Sequence, residues 1–314
     1  ERGGDIPLFA PLPEDEAAPF GCAALAELSG LSAEEAGELA RTWDEWPPER
    51  ARALFERLAS LAEEHTDLEF EIVFKAGLAV ADAEVRLVSV TSLAESADRT
   101  LAARFADLLG QDADPRVRAA AAASMATLCA FAAEGKLPGH GGERMRLALL
   151  RALEDRSEEA EVQMRALETA ALFGGAQVSS LIEDASRSGD ERVRQSAMFA
   201  MGRTSDARWL PSVLAELDGV SAALRHEATV ALGEIGGEGD SVHLAGPLDD
   251  SDLDVQLAAV ASLERIGGEA ATRMLRQAVR SSEPSVREAA QAALEALEIE
   301  QGLSDPVGPE MRRR

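Results

Sequence analysis

Apolar residues return along this chain at an almost constant spacing, and each return opens the same pattern. We call the first apolar position of each copy the anchor; successive anchors are separated by 32, 45, 31, 31, 31 and 31 residues. The anchors are Val85, Val117, Val162, Val193, Leu224, Val255 and Val286. A fixed period of this length is typical of a solenoid, in which each unit buries its apolar face against its neighbours.

Small residues follow each anchor at fixed distances. Four positions after it stand Ser89, Ala121, Ala166, Ala197, Ala228, Ala259 and Ala290. Seven positions after it stand Ser92, Ser124, Thr169, Ala200, Ala231, Ser262 and Ala293. Mostly larger apolar residues return eight positions after the anchor and, in five copies, eleven after it. These offsets share one face of an α-helix, and a second apolar-periodic stretch precedes each copy, so every unit is predicted to be a helical hairpin.

The segment 224–236, which reads LRHEATVALGEIG and is echoed by 255–267, resembles the HEAT-like repeats of the phycobilin-lyase type. The resemblance runs over residues 67–298. It implies an all-α fold, an α-solenoid of about seven hairpins, which is a common architecture for binding other proteins. It also implies an alternative function in handling a bilin chromophore.

Charged residues flank the anchors in a way that looks like the Asp/Arg ladder of HEAT proteins. An acidic residue stands three positions before most anchors: Asp82, Asp114, Glu159, Asp190, Asp252 and Glu283. An arginine stands one position after most of them: Arg86, Arg118, Arg194, Arg225 and Arg287. Ser221, Gln163 and Gln256 interrupt the ladder. The arginines either bind an external anion or pair with carboxylates of a neighbouring unit, and the fixed offsets favour pairing.

The remaining segments divide the chain further. Residues 1–30 contain several prolines and are predicted to form an extended arm. Within 31–66, Ser32 and Glu35 form a capping box for a helix to about Glu45, and Pro47–Pro48 begins a second helix that ends near Glu64. This pair is predicted to cap the solenoid of 67–298, and 299–314 to form a flexible tail. The wide spacing after Val117 places an inserted loop near 131–144, which either binds a partner or is surface variation.

Composition limits the partners. The net charge of −26 and the lack of a basic stripe argue against nucleic acid, which needs Lys and Arg to replace its counterions. No apolar run reaches the roughly 18 to 20 residues of a membrane helix, and no leading signal sequence is visible, so we expect no membrane association and a cytoplasmic location. Cys22 and Cys129 lie too far apart for a paired-cysteine motif, and both are predicted to be buried thiols.

Catalytic chemistry has weak support in the sequence. Only four histidines occur, and His226-Glu227 is a single His-Glu pair where a metal site needs several converging ligands. The glycines from Gly233 to Gly239 follow a helical pattern rather than a strand, so they are interpreted as helix termination and not as a phosphate loop. We therefore predict no enzyme activity, no catalytic residues, no metal and no cofactor.

The outward side of the second helix in each hairpin gives the candidate binding site. In HEAT-like stacks this helix lines the concave face, and positions two, six and nine after the anchor point away from the core. The candidates are Leu87, Met164, Gln195, Phe199, His226, Val230 and Leu257. This weakly charged band either lets helices pack closely in a tight curve, or binds an apolar or helical segment of another protein, or is covered by the arm through Leu8 and Phe9.

Overall fold

The computed structural model describes residues 25–43, 46–137 and 139–304, and within them every regular element is a helix. The chain divides into two compact units after Thr169. The first unit contains α1 (Ala33–Trp43), α2 (Pro48–Glu64), α3 (Glu71–Gly77), α4 (Ala83–Ser92), α5 (Leu101–Gln111), α6 (Pro115–Ser124), α7 (Ala126–Ala133), α8 (Gly141–Glu154) and α9 (Ala160–Ala170), whose last residue follows the division.

Hairpins stack side by side in this first unit. Helices α2, α4 and α6 contact one another in turn, and α1 lies against α3 and α5 against α8. The capping box is confirmed, because the Ser32 backbone N–H donates to Glu35 Oε2 over 2.9 Å and the Glu35 N–H donates to Ser32 Oγ over 3.3 Å. Helix α1 ends at Trp43, close to the predicted Glu45, and α2 has the predicted bounds.

The second unit repeats the arrangement with greater regularity. It contains α10 (Ala176–Ser186), α11 (Glu191–Arg203), α12 (Leu210–Glu216), α13 (Ala222–Ile235), α14 (Ala245–Leu248), α15 (Leu253–Ile266), α16 (Gly268–Ala278) and α17 (Pro284–Ser304). Three 3₁₀ helices span Ala171–Phe173, Ala207–Trp209 and Glu238–Leu244. Helices α11, α13, α15 and α17 pack in sequence, and each also contacts the helix before it. The predicted all-α solenoid of helical hairpins is therefore confirmed.

The interior follows the anchor pattern. All seven residues four positions after the anchor are 0% exposed, from Ser89 to Ala290. Six of the seven anchors are buried, and Val193 is half-buried. Ser92 is exposed, whereas its equivalents in the other copies are buried. The predicted helical period therefore identifies the core face in both units.

Two glycines set the distance between neighbouring second helices. A Cβ at Gly233 would lie 2.8 Å from Ser262 Cα, and one at Gly202 would lie 3.0 Å from Ala231 Cα. Both glycines are buried at helix contacts, so the prediction that they face outward is wrong. At these positions the small residues let α11, α13 and α15 approach closely, as the tight-packing interpretation requires.

Other expectations concern the ends and the insertion. The insertion is occupied by α7, a turn with positive φ at Gly135 and Gly139, and the start of α8. Cys129 is buried, whereas Cys22 lies outside the described residues, as does the arm up to residue 24. Helix α17 continues to Ser304, beyond the predicted start of the tail, and residues 305–314 are not described.

Candidate functional site

Three ladder arginines hold carboxylates of the following hairpin. In each, Nε and Nη2 donate to the two carboxylate oxygens, which is the bidentate geometry that fixes both charge and orientation. The pairs are Arg86 with Asp112 (2.7 and 2.8 Å), Arg118 with Glu158 (2.9 and 2.7 Å) and Arg225 with Asp250 (2.7 and 2.7 Å). In each arginine Nη1 donates to two backbone carbonyls of the loop before its own helix. The prediction that ladder arginines pair with carboxylates of a neighbouring hairpin is therefore confirmed for these three.

The acidic partners differ from those that the sequence suggested. The acids three positions before the anchor cap their own helices: Asp82, Asp114, Asp190 and Asp252 accept hydrogen bonds from the first backbone N–H groups. The carboxylates on the arginines stand four or five positions before the anchor instead. A side chain at the helix N-cap is well placed to accept those N–H groups, which leaves the earlier acid to face the arginine.

The predicted binding residues are only partly brought together. Phe199 and Val230 line one cavity of about 460 Å³. The rest of its lining is Leu172, Gly202, Arg203, Ser205, Ala231 and Glu234. We call this the Phe199 cavity. Gln195, His226 and Leu257 are half-buried in the same unit but do not line it, and Leu87 is half-buried in the first unit.

Met164 departs from its predicted outward position. Its side chain is only 4% exposed, and Glu168, four residues later on α9, is 7% exposed. Glu168 accepts a hydrogen bond from Arg165 Nη1 over 2.7 Å. The expectation that Met164 faces solvent is wrong. The side of α9 that carries Met164 and Glu168 is buried, whereas the equivalent side of α11, with Gln195 and Phe199, is only half-buried.

The Phe199 cavity has an apolar lining and a charged rim. Leu172, Phe199 and Val230 supply the large apolar side chains. The Arg203 guanidinium lies 5.4 Å from the centroid of the Phe199 ring, a distance suited to a cation–π contact. Glu234 forms an ion pair with Arg265. Arg203 and Glu234 were not among the predicted binding residues. Arg203 follows Phe199 by four residues on one helix, and this i, i+4 spacing indicates such a neighbour.

His226 lies against the acidic side chain of Glu227 in the same unit. Its Nδ1 lies 3.4 Å from Glu227 Oε1, and the hydrogen bond from the ring to Glu227 raises the pKa of His226 despite partial burial, with further contributions from Asp254 and Asp252. We expect Glu227→Gln to lower the pKa of His226, because it removes the hydrogen-bonded charge. An NMR titration of the ring protons measures this, with Glu288→Gln as a distant control. An unchanged His226 titration in Glu227→Gln would contradict the pairing.

Among the described residues, no three His, Cys, Asp or Glu side chains are grouped so as to hold a metal ion. In the same part of the chain, no helix combines the length and the apolar character needed to cross a bilayer.

The chain is similar to one family of repeats and to several solved structures. Residues 210–295 match the family model described as HEAT repeats. No curated protein sequence shows significant similarity to the chain. Solved structures with a similar arrangement include an engineered protein (20% identity, 63% of this chain and 96% of that one, TM-score 0.39) and importin beta (17%, 88% and 42%, TM-score 0.48). Another is human deoxyhypusine hydroxylase (17%, 90% and 100%, TM-score 0.37).

Proposed function

We propose that this protein is a non-enzymatic interaction scaffold that holds an apolar or helical segment of another protein in the Phe199 cavity. The observation that carries the proposal is that Phe199 is half-exposed beside Val230 and Leu172, whereas most other large apolar side chains among the described residues are buried. A large aromatic side chain in contact with water forgoes much of its apolar burial, and aromatic residues supply much of the energy at protein interfaces.

The shape and charges of the cavity suit an amphipathic helix. Phe199 and Val230 stand at equivalent positions of the adjacent helices α11 and α13, so an apolar ridge can lie along both. Arg203 and Glu234 place opposite charges on the rim. Such charges orient a partner helix and select against partners of the wrong charge pattern.

The overall charge supports a protein partner over a nucleic acid. At −26, the chain repels polyanions, and the ladder arginines Arg86, Arg118 and Arg225 are occupied by carboxylates. A protein segment with apolar side chains needs no such neutralisation.

Selection from a displayed library of amphipathic helical peptides tests the proposal. We expect enriched peptides with apolar residues at i and i+3 or i+4 that bind the parent and lose roughly tenfold or more in affinity for Phe199→Glu. Val242→Glu is the matched control, because Val242 is exposed in the same unit but lies outside the cavity. Circular dichroism and melting curves check that each variant folds.

Three other outcomes would decide against this function. Equal binding to Phe199→Glu and the parent would place recognition elsewhere. Binding that appears only after deletion of residues 1–24 would show that the arm covers the cavity. Induced visible absorbance on adding a linear tetrapyrrole would favour the bilin-handling alternative, which the resemblance of 67–298 to phycobilin-lyase-type repeats suggested.

A further inference from the structure

Two ladder arginines, Arg194 and Arg287, have no carboxylate partner among the described residues. Arg194 Nη1 donates to the backbone carbonyls of Ser188 and Gly189 over 2.7 and 3.1 Å, as the other ladder arginines do in their own loops. In the described part of the chain, however, no carboxylate oxygen lies within 4.0 Å of its nitrogen atoms. The loop therefore holds the guanidinium in the ladder position, while the edge formed by Nε and Nη2 has no ion-pair partner.

The sequence explains the missing partner of Arg194. Gly219 stands five positions before its anchor, where the next hairpin has Asp250, and Ser221 stands where that hairpin has Asp252. This hairpin therefore lacks equivalents of Asp250 and Asp252, the two carboxylates of the next hairpin that act on Arg225. Gly219 does not have a positive φ, so its backbone conformation does not require glycine. No hairpin follows that of Arg287 among the described residues, which end at residue 304.

The loop that lacks the acids borders a pocket of about 400 Å³. Its lining is Glu191, Arg194, Glu216, Val220, Ser221 and Leu224, and we call it the Arg194 pocket. Val220 is 103% exposed, so its side chain is open to a partner at the edge of this pocket. Glu191 Oε1 accepts a hydrogen bond from Ser221 Oγ over 2.7 Å, which holds that carboxylate beside the loop. Arg194 and an exposed apolar side chain therefore line the same pocket.

We propose that the Arg194 pocket binds a carboxylate group of a partner protein with an apolar side chain next to it. Nε and Nη2 of Arg194 donate to the two oxygens, and Val220 and Leu224 contact the apolar neighbour. The same guanidinium edge holds a carboxylate at Arg86, Arg118 and Arg225. A phosphate dianion fits less well, because Glu191 and Glu216 repel two charges more strongly than one. The site is separate from the Phe199 cavity and does not depend on its occupant.

Arginine side-chain NMR gives a direct test on the full chain. The Nε–Hε resonances of Arg194 and Arg225 are followed during titration with three probes. N-acetyl-leucine carries a terminal carboxylate, N-acetyl-aspartyl-leucinamide carries a side-chain carboxylate, and inorganic phosphate carries neither. We expect a saturable shift at Arg194 with one of the carboxylate probes and none at Arg225, and the tighter carboxylate probe identifies the source.

Two variants sharpen the assignment, with the backbone amide of Val220 as the common signal. Arg194→Gln introduces the residue that stands at the equivalent position of another hairpin, Gln256, whose Nε2 donates to the Asp250 backbone carbonyl over 2.5 Å. The loop should therefore keep a hydrogen bond, while the donors Nε and Nη2 of Arg194 are removed. Gly219→Asp supplies an internal carboxylate, although its Cβ lies 3.0 Å from Glu216 Oε2 and that flexible side chain must turn away. Both variants are expected to weaken probe binding roughly tenfold or more.

Four results would overturn the proposal. Arg194 and Arg225 could respond alike, which would show general charge screening. Arg194→Gln could bind the probes as the parent does. Glu216→Gln could shift the Arg194 resonance without any probe, which would make Glu216 the internal partner. Phosphate could bind more tightly than both carboxylate probes, which would contradict the chemical class.

Discussion

Replacing Ala228 by leucine is expected to lower the free energy of unfolding by about 1 to 3 kcal/mol, with a clear fall in melting temperature. Ala228 is 0% exposed on α13, and α13 is packed between α11 and α15. A leucine adds three carbon atoms where the close approach of these helices leaves no space. The extra volume must force the helices apart or drive the side chain out of a preferred rotamer.

The glycines explain why the stack cannot simply relax around a leucine. At Gly202 and Gly233 the helices already lie in contact with Ala231 and Ser262. Ser262 Oγ also donates a hydrogen bond to the Thr229 backbone carbonyl over 2.8 Å. Moving α13 away from α15 would break this hydrogen bond and open the packing on its other side. Strain at one position is therefore spread over two helix interfaces, which limits what a local shift can recover.

Ala223→Leu is the matched control for Ala228→Leu. Ala223 lies on the same helix but is exposed, so this change should stay within about 0.5 kcal/mol of the parent. Urea unfolding and thermal melting of both variants measure the difference. If Ala228→Leu melts with the parent, the assignment of Ala228 to a tightly packed interface is wrong.

The core could be predicted from the sequence because burial depends on the helical period alone. Ala197, Ala228 and Ala259 stand at the same offset from their anchors, and all three are 0% exposed. An amphipathic helix that packs on one side must bury the same face in every copy, so the offsets transfer from unit to unit. The distance between neighbouring second helices is not contained in the period. The offset of nine residues after the anchor predicts that Gly233 faces outward, whereas it lies against Ser262.

The candidate site was harder to predict because it depends on loop geometry. Three of the loops before a second helix carry two acids close together, as in Asp250 and Asp252. Spacing alone does not tell which acid caps the helix and which faces the arginine. Phe199 and Val230 were found from helix geometry, but Leu172 reaches the same cavity from a 3₁₀ turn that no regular period describes.

The largest effect on stability is expected from breaking a ladder pair. Asp250 and Arg225 side chains are only 9% and 14% exposed, and two hydrogen bonds of 2.7 Å join them. Asp250 also accepts the Asp252 backbone N–H over 2.8 Å, so it ties the loop to the preceding hairpin. Asp250→Ala leaves the Arg225 guanidinium largely buried without its counter-charge. We expect a loss of about 2 to 4 kcal/mol at neutral pH.

Acidification should remove the same contribution from the parent. The hydrogen bonds from Arg225 hold the pKa of Asp250 below its ordinary value despite burial. A carboxyl group whose pKa is lower in the folded state stabilises the fold above its unfolded pKa of about 3.9, and the benefit is lost as the pH falls through the folded pKa. The difference in unfolding free energy between parent and Asp250→Ala should therefore shrink below about pH 4.

Glu269→Ala, in an exposed pair with Arg273, should cost under about 1 kcal/mol at every pH. Urea unfolding at pH 7 and pH 3 separates the cases, and a difference that does not change between them would mean that Asp250 stabilises the loop without its charge.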